Sequence, residues 1–586
     1  MKSTQEWVFW LEAGAGARWL RRTAFVALAL VLSLVTGYKQ FRGARSEVTL
    51  AQADLGWQLG TGQGFTTRIK YPQTAAWLEA RHESLDGRAA FPALTEPPLY
   101  PLVIGGAVAA LPAARRTALF ASAGDPPEGF GGDYLLLAVN LILFWVAAAL
   151  TFGLARRLFD LRVAVVSVLA LMLSSGAWSA TVAVNGTPLP MVLLLLLAGA
   201  LLRADQAATG GATRAWLAAA GAAAGLMFLT DYPAGVVALV LLAYVAVRWR
   251  GAARGWGLLA VAAAFAAVTG PWLARNVALT GSPVGLAWQE LALRAGDPTA
   301  DPATVRATLS AAAPVFSFAK LGNKGLTAVQ TALSSGLWSG GGLCCTAFFV
   351  AGLLYRFRQD SVRRLHAATV ALVAVLVAAH AFLNTGEGER LPVVYAAPLL
   401  IVFGTGFFAV LVASHERWSV RWAGAAALLL VVQGAPLARE ALEPGRAHFT
   451  YPPYYPRVLA DWVGQPTAQR GWSGTGWMAD VPAGLAWYTG LSVWAQPAEL
   501  ADFYALAHRL RDRPLGLLLT PHTLDRPFWG ELTADRRPVD PLRGNWAQIY
   551  AGLITGRFPP LFSLSQPVQL AGNLVLLRDP AWGPPR

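Results

Sequence analysis

The chain has 586 residues, of which 55% are hydrophobic and only 14% charged, and its mean hydropathy is +0.45. Ordinary soluble domains do not combine these values, which excludes a soluble enzyme. The formal net charge of +14 does not indicate a nucleic-acid partner, because the arginines fall in short loops between apolar runs, where a membrane accounts for them.

A helix needs about 20 residues to cross a bilayer. By that measure about eleven spans are expected, centred on 23–40, 134–155, 162–179, 187–203, 214–230, 233–248, 255–274, 338–355, 365–383, 391–413 and 420–437. The first has no small-residue cleavage site after it and reads as a retained span. Several are rich in Ala and Gly, as in AWLAAAGAAAGLMFL, which suits close helix packing within lipid. Every second loop is basic: Arg18, Arg21 and Arg22 before the first span, Arg156, Arg157 and Arg162, Arg203 and Arg214, Arg248, Arg250 and Arg254, then Arg356, Arg358, Arg363 and Arg364, and Arg417 and Arg421. That alternation predicts a cytoplasmic N-terminus and an outer C-terminus, with three long polar pieces on the outer side.

The first of these pieces is the insert at 41–133. A helix is expected over Leu50–Leu59, ending at the glycines Gly60, Gly62 and Gly64. The run at 97–111, PPLYPLVIGGAVAAL, is interrupted and short, and reads as an interfacial helix anchored by Tyr100. The second piece, 275–337, is polar and dotted with prolines. The third begins near 440 and alternates short apolar runs with helical stretches, predicting a small α/β domain. The domains are therefore a membrane body over 1–439 and an extracytoplasmic domain over 440–586.

Glu47 and Asp54 are seven residues apart and share a helical face. Two readings stay open: a solvated helix with incidental acids, or a carboxylate acting as general base toward an acceptor. Arg68 and Lys70 follow the glycine turn, and Arg390 precedes the tenth span. These cations either hold a lipid-linked phosphate or snorkel to lipid headgroups. Asp231, in FLTDYPAG, reads as turn chemistry. Cys344 and Cys345 are adjacent, no CxxC or Cys/His spacing occurs, and His82, His380 and His522 have no partner at ligand spacing. No metal and no cofactor are expected.

The order of GTGQGFTT, PPLYPLV, FLTDYP, PWLARNVALTGSPVG, ERLPVVYAAPLL and MADVPAGLAWY resembles the bacterial relatives of dolichyl-phosphate-mannose–protein mannosyltransferases. These belong to glycosyltransferase family 39 within the GT-C superfamily, which also holds the aminoarabinose transferases. The resemblance implies a mainly α, polytopic GT-C-like bundle of about 11 transmembrane helices, with juxtamembrane helices on the outer face and a small C-terminal α/β extracytoplasmic domain. It also implies an enzyme of the cytoplasmic (inner) membrane that takes a sugar from a polyprenyl-phosphate donor and gives it to a lipid, glycan or protein acceptor. An acid early in the first outer loop would serve as base, and basic residues would hold the donor phosphate. Counting back from the glycine turn, the family's aspartate falls at Ala51 here. Asp54 or Glu47 would have to replace it, with Arg68, Lys70 and Arg390 on the donor side. The alternative is a GT-C-like member without catalysis, serving as a lipid-binding or scaffold subunit. A transporter fits less well, since charges within the spans are almost absent.

Overall fold

Long apolar runs fold as helices in lipid because the backbone must satisfy its own hydrogen bonds there. The computed structural model describes residues 15–44, 46–120, 130–296, 305–309, 318–336, 338, 341–383, 392–414, 421–443, 476–509, 516–520, 523, 541–569 and 574–579. The chain opens with α1 (Ala15–Gln40), and the insert then forms α2 (Glu47–Gly60), β1 (Thr66–Thr67), β2 (Ile69–Lys70), α3 (Pro72–Ala80) and β3 (Phe91–Pro92). A pair of helices, α4 (Leu99–Ala109) and α5 (Ala113–Phe120), is bent by 115°. The bundle continues with α6 (Gly131–Leu158), α7 (Leu161–Met172), α8 (Ser175–Val182), α9 (Pro188–Gln206) and α10 (Gly210–Thr230). A 3-10 turn at Tyr232–Val236 leads to α11 (Val237–Arg248), α12 (Gly251–Thr280) and α13 (Ala287–Gly296). Then come α14 (Phe318–Thr331), α15 (Leu343–Gly352), α16 (Asp360–Leu383), α17 (Pro392–Tyr395), α18 (Ala397–Ser414) and α19 (Trp422–Leu442).

Among the described residues eight helices are long and apolar enough to cross a membrane, or up to ten if each of two bent pairs is one span. All eleven expected spans fall on helices. The one at 162–179 is the pair α7–α8, bent by 53°, and those at 233–248 and 338–355 coincide with shorter apolar helices. This is a mainly helical, multi-pass membrane protein. The helix expected over Leu50–Leu59 begins three residues earlier, because Ser46 caps it: the Ser46 hydroxyl accepts from the Thr49 amide at 3.2 Å.

Close backbone approach packs two helices of the insert against each other. A Cβ on Gly60 would lie 2.6 Å from Val108 Cβ and 2.7 Å from the Gly105 carbonyl oxygen, so α2 and α4 touch through glycines. Tyr100 is not the interfacial anchor that the sequence suggested. It is 1% exposed, donates to the Val184 carbonyl at 2.7 Å and accepts from Asn140 Nδ2 at 2.7 Å. A phenol whose neighbours offer both an acceptor and a donor sits better inside than in the headgroup layer. Tyr100→Phe is expected to cost about 1–3 kcal/mol by stranding the Val184 carbonyl and part of the Asn140 amide. Thermal unfolding of the detergent-purified protein checks this; an unchanged midpoint would count against the pin.

The tail is α/β, as expected: β4 (Trp477–Ala479), α20 (Pro482–Thr489), β5 (Val493–Ala495), α21 (Leu500–Arg509), β6 (Gly516–Leu519), α22 (Trp546–Thr555), β7 (Gln566–Gln569) and β8 (Val575–Arg578). Its sheet has the order β2-β5-β4-β6-β8-β7. The edge strand β2 belongs to the insert and runs parallel to β5, with Ile69 opposite Val493 and Lys70 opposite Trp494. β4, β5 and β6 are mutually parallel, whereas β8 is antiparallel to both β6 and β7. The sheet therefore joins one strand of the insert to five strands of the tail.

Candidate active site

One cavity, of about 150 Å³, lies where the insert, the ends of the bundle helices and the tail meet. Its wall includes Glu47, Val48 and Gln52 from α2, and Tyr71, Thr95 and Glu96 from the rest of the insert. Asp231 and Tyr232 follow α10, Glu290 comes from α13, Arg306 from the second polar piece, and Asp480 and Gln496 from the tail. The lining is strongly acidic, with Glu47, Glu96, Asp231, Glu290 and Asp480 set against the guanidinium of Arg306.

Glu47 occupies the first turn of α2, where the helix dipole favours an acid. Its carboxylate also caps a second helix: Oε2 accepts from the Ala483 amide at 2.8 Å and Oε1 from the Gly484 amide at 3.0 Å. Both amides belong to the first turn of α20. Two helix N-termini thus converge on one side chain, an arrangement that holds negative charge and fixes its direction. Asp133, at the start of α6, fastens the same helix at its far end by accepting from Trp487 Nε1 and the Tyr488 hydroxyl, each at 2.9 Å.

Arg306 is gripped on two sides. It makes a forked pair with Glu290 at 2.7 and 3.0 Å and reaches Glu96 at 2.7 Å. Burial pulls its pKa down, but Glu290 and Glu96 more than offset this and hold it well above the ordinary guanidinium value. Tyr71 lies with its ring 5.6 Å from the Arg306 guanidinium carbon. Burial pushes the Tyr71 phenol well above its ordinary value, so it stays a hydrogen-bond donor. Asp231 Oδ2 lies 2.7 Å from His380 Nε2 and accepts from the Tyr395 hydroxyl at 3.2 Å. The other ring nitrogen, Nδ1, is 2.9 Å from the Leu376 carbonyl, so both nitrogens of His380 face an acceptor.

The sequence candidates separate here. Glu47 lines the cavity; Asp54 does not. Asp54 is fully buried: Oδ1 pairs with Arg68 Nε at 2.6 Å, while Oδ2 accepts from the Thr67 hydroxyl and the Arg68 amide, each at 2.8 Å. Arg68 is thereby committed to Asp54 and is absent from the cavity wall. Lys70 is 1% exposed, with Nζ 5.6 Å from the Trp494 ring and 5.7 Å from Phe91, inside the joint between β2 and the tail. Arg390 lies outside the described residues. Ala51 is 3% exposed within the apolar core, so an acid there would meet packed side chains. Sequence reasoning passed over Glu96, Glu290, Arg306 and Asp480, and read Asp231 as a simple turn. The one signal available was an acid one or two residues before a proline, in LTEPPLYP and FLTDYP. Among the described residues no group of three His, Cys, Asp or Glu side chains is arranged to hold a metal ion.

A family model described as dolichyl-phosphate-mannose-protein mannosyltransferase matches residues 130–274, the stretch from α6 into α12. ArnT from Cupriavidus metallidurans, in a crystal structure bound to undecaprenyl phosphate, superposes with a TM-score of 0.55. The two are 16% identical, and the match covers 97% of this chain and 100% of ArnT. The chain has the membrane fold of that ArnT structure. The apo form of the same ArnT gives 0.51 at 16% identity, over 90% of this chain and 96% of its own. The archaeal oligosaccharyltransferase AglB from Archaeoglobus fulgidus, in complex with an inhibitory peptide and a dolichol-phosphate, gives 0.49 at 13% identity, over 86% and 70% of the two chains. No curated protein matches by sequence. Within this fold, the insert, the bundle ends and the tail meet around the acidic cavity.

Proposed function

We propose that the protein is a membrane glycosyltransferase that moves a sugar from a polyprenyl-phosphate donor to a lipid, glycan or protein acceptor at the outer face of the cytoplasmic membrane. The observation that carries this reading is Glu47, a carboxylate held by two backbone amides at the wall of the acidic cavity. Glu47 takes the proton of the acceptor hydroxyl or amine as that group attacks the anomeric carbon. The bond from that carbon to the phosphate oxygen breaks, and the polyprenyl phosphate leaves with the electron pair. Arg306 is the guanidinium within reach of the developing phosphate charge, once Glu96 and Glu290 share it. Arg390 is assigned to the same phosphate from its place before the tenth span. Lys70 and the Arg68 carbonyl, which accepts from the Val493 amide at 2.9 Å, hold the insert to the tail, and Asp54 fixes the Arg68 side chain and amide.

A second reading, an inactive GT-C-like lipid-binding or scaffold subunit, draws on the small cavity and on an Arg306 already neutralised by two glutamates. The test is transfer in proteoliposomes supplied in parallel with radiolabelled polyprenyl-phosphate mannose and polyprenyl-phosphate aminoarabinose, with cell-envelope extract as acceptor. Label appearing on an acceptor only with the protein present supports the transferase. Tight binding of polyprenyl phosphate with no transfer from either donor supports the scaffold.

A further inference from the structure

At the end of the bundle opposite the acidic cavity, α6, α9 and α10 leave a groove of about 420 Å³ between them. We propose that it binds one anionic diacyl phospholipid, with an acyl chain along the groove and the phosphate between Arg157 and Arg203. Three observations converge. The wall is Ala, Gly and Leu apart from Arg157, Arg203 and Trp216, and it holds no acid. Gly153 and Gly199 are not small for the sake of helix contact, since a Cβ on either would meet nothing within 4 Å. They differ in this from Gly221, whose Cβ would strike the Val261 backbone across the α10–α12 interface. Their effect is to widen the groove.

The charge at its mouth is uncompensated. Among the described residues no carboxylate pairs with Arg157 or Arg203, although Asp205 is only two residues beyond the latter. Asp205 is taken by Arg248 and Arg364, each at 2.8 Å, and by the Tyr244 hydroxyl at 2.8 Å. Helix dipoles explain a basic residue in the last turn of α6 and of α9. They do not explain why two such ends and an indole share one groove. Arg203 stacks on Trp216 with its guanidinium carbon 4.3 Å from the ring, which places the pair at headgroup depth. Two guanidiniums, one of them stacked on an indole, beside an apolar slot between helices match a phosphodiester with a hydrocarbon tail.

The test is native mass spectrometry of the purified protein in micelles doped equally with phosphatidylglycerol and phosphatidylcholine. The wild type is expected to retain phosphatidylglycerol in preference. Arg157→Gln and Arg203→Gln should each lower that retention about fivefold, and the double variant should lose the preference. Gly153→Leu with Gly199→Leu, at two positions where an added Cβ meets nothing within 4 Å, puts apolar bulk into the groove and should lower retention of both lipids, which keeps the proposal testable if the arginine variants fold poorly. Equal retention of the two lipids by the wild type, or unchanged retention in the variants, overturns it. So does displacement of phosphatidylglycerol by stoichiometric undecaprenyl phosphate, which would make the groove a prenyl site.

Discussion

Replacing Glu47 with glutamine is expected to lower sugar transfer by about 10²–10⁴-fold, the usual contribution of a positioned proton acceptor, while the protein stays folded. Glutamine keeps the length and one carbonyl acceptor for the amides of Ala483 and Gly484. It loses the negative charge, and with it the ability to take a proton. The side chain also docks α20, so a purely structural role predicts something different. In that case Glu47→Ala would loosen the tail and reduce stability and transfer together, and Glu47→Gln, which keeps one of the two amide contacts, would reduce both in parallel by a smaller amount. Transfer rates and unfolding midpoints for the two variants separate the cases. Normal turnover by the glutamine variant sinks Glu47 as the base.

Asp54→Asn is expected to destabilise the protein by about 3–5 kcal/mol, because it leaves the largely buried Arg68 guanidinium without its counter-charge. Breaking one half of a buried pair costs more than replacing both halves with matching apolar groups. Asp54→Leu combined with Arg68→Met should therefore recover part of the loss. Thermal unfolding followed by tryptophan fluorescence reads both variants. A different pattern, Asp54→Asn fully stable yet inactive, would return Asp54 to the chemistry and take it from the hinge between insert and tail.

How much of this was legible follows from the range of each signal. Spans announce themselves locally, since an apolar run of sufficient length has few alternatives in lipid. The pairing of Glu47 with Asp54 on one helical face was also local and correct as periodicity. Seven residues, however, advance about 10 Å along the axis, so one acid reaches the cavity while the other meets the β1–β2 turn. Periodicity reports a face, not a depth. Lys70 carried no sign that it would enter a strand beside Trp494, a pairing that joins distant parts of the chain. Asp231 satisfied an ordinary turn pattern, and its partner His380 lies 149 residues away. Arg306 and Glu290 sit in a piece with little regular pattern, and only tertiary structure brings them to Glu96.

The docking of α20 against Glu47 spans 436 residues of sequence and has a bearing on biosynthesis. At ribosomal rates the later partner emerges about 20–90 s after the earlier one. Throughout that interval the inserted helices exist without the peptide groups that orient the acid and without the strand neighbour that β2 requires. On the proposed function, transfer therefore begins only after the last quarter of the chain has been synthesised and folded onto the rest. Chains cut short before Ala483 should accumulate as inserted but idle membrane proteins, distinguishable from full-length ones by a protease-sensitive insert.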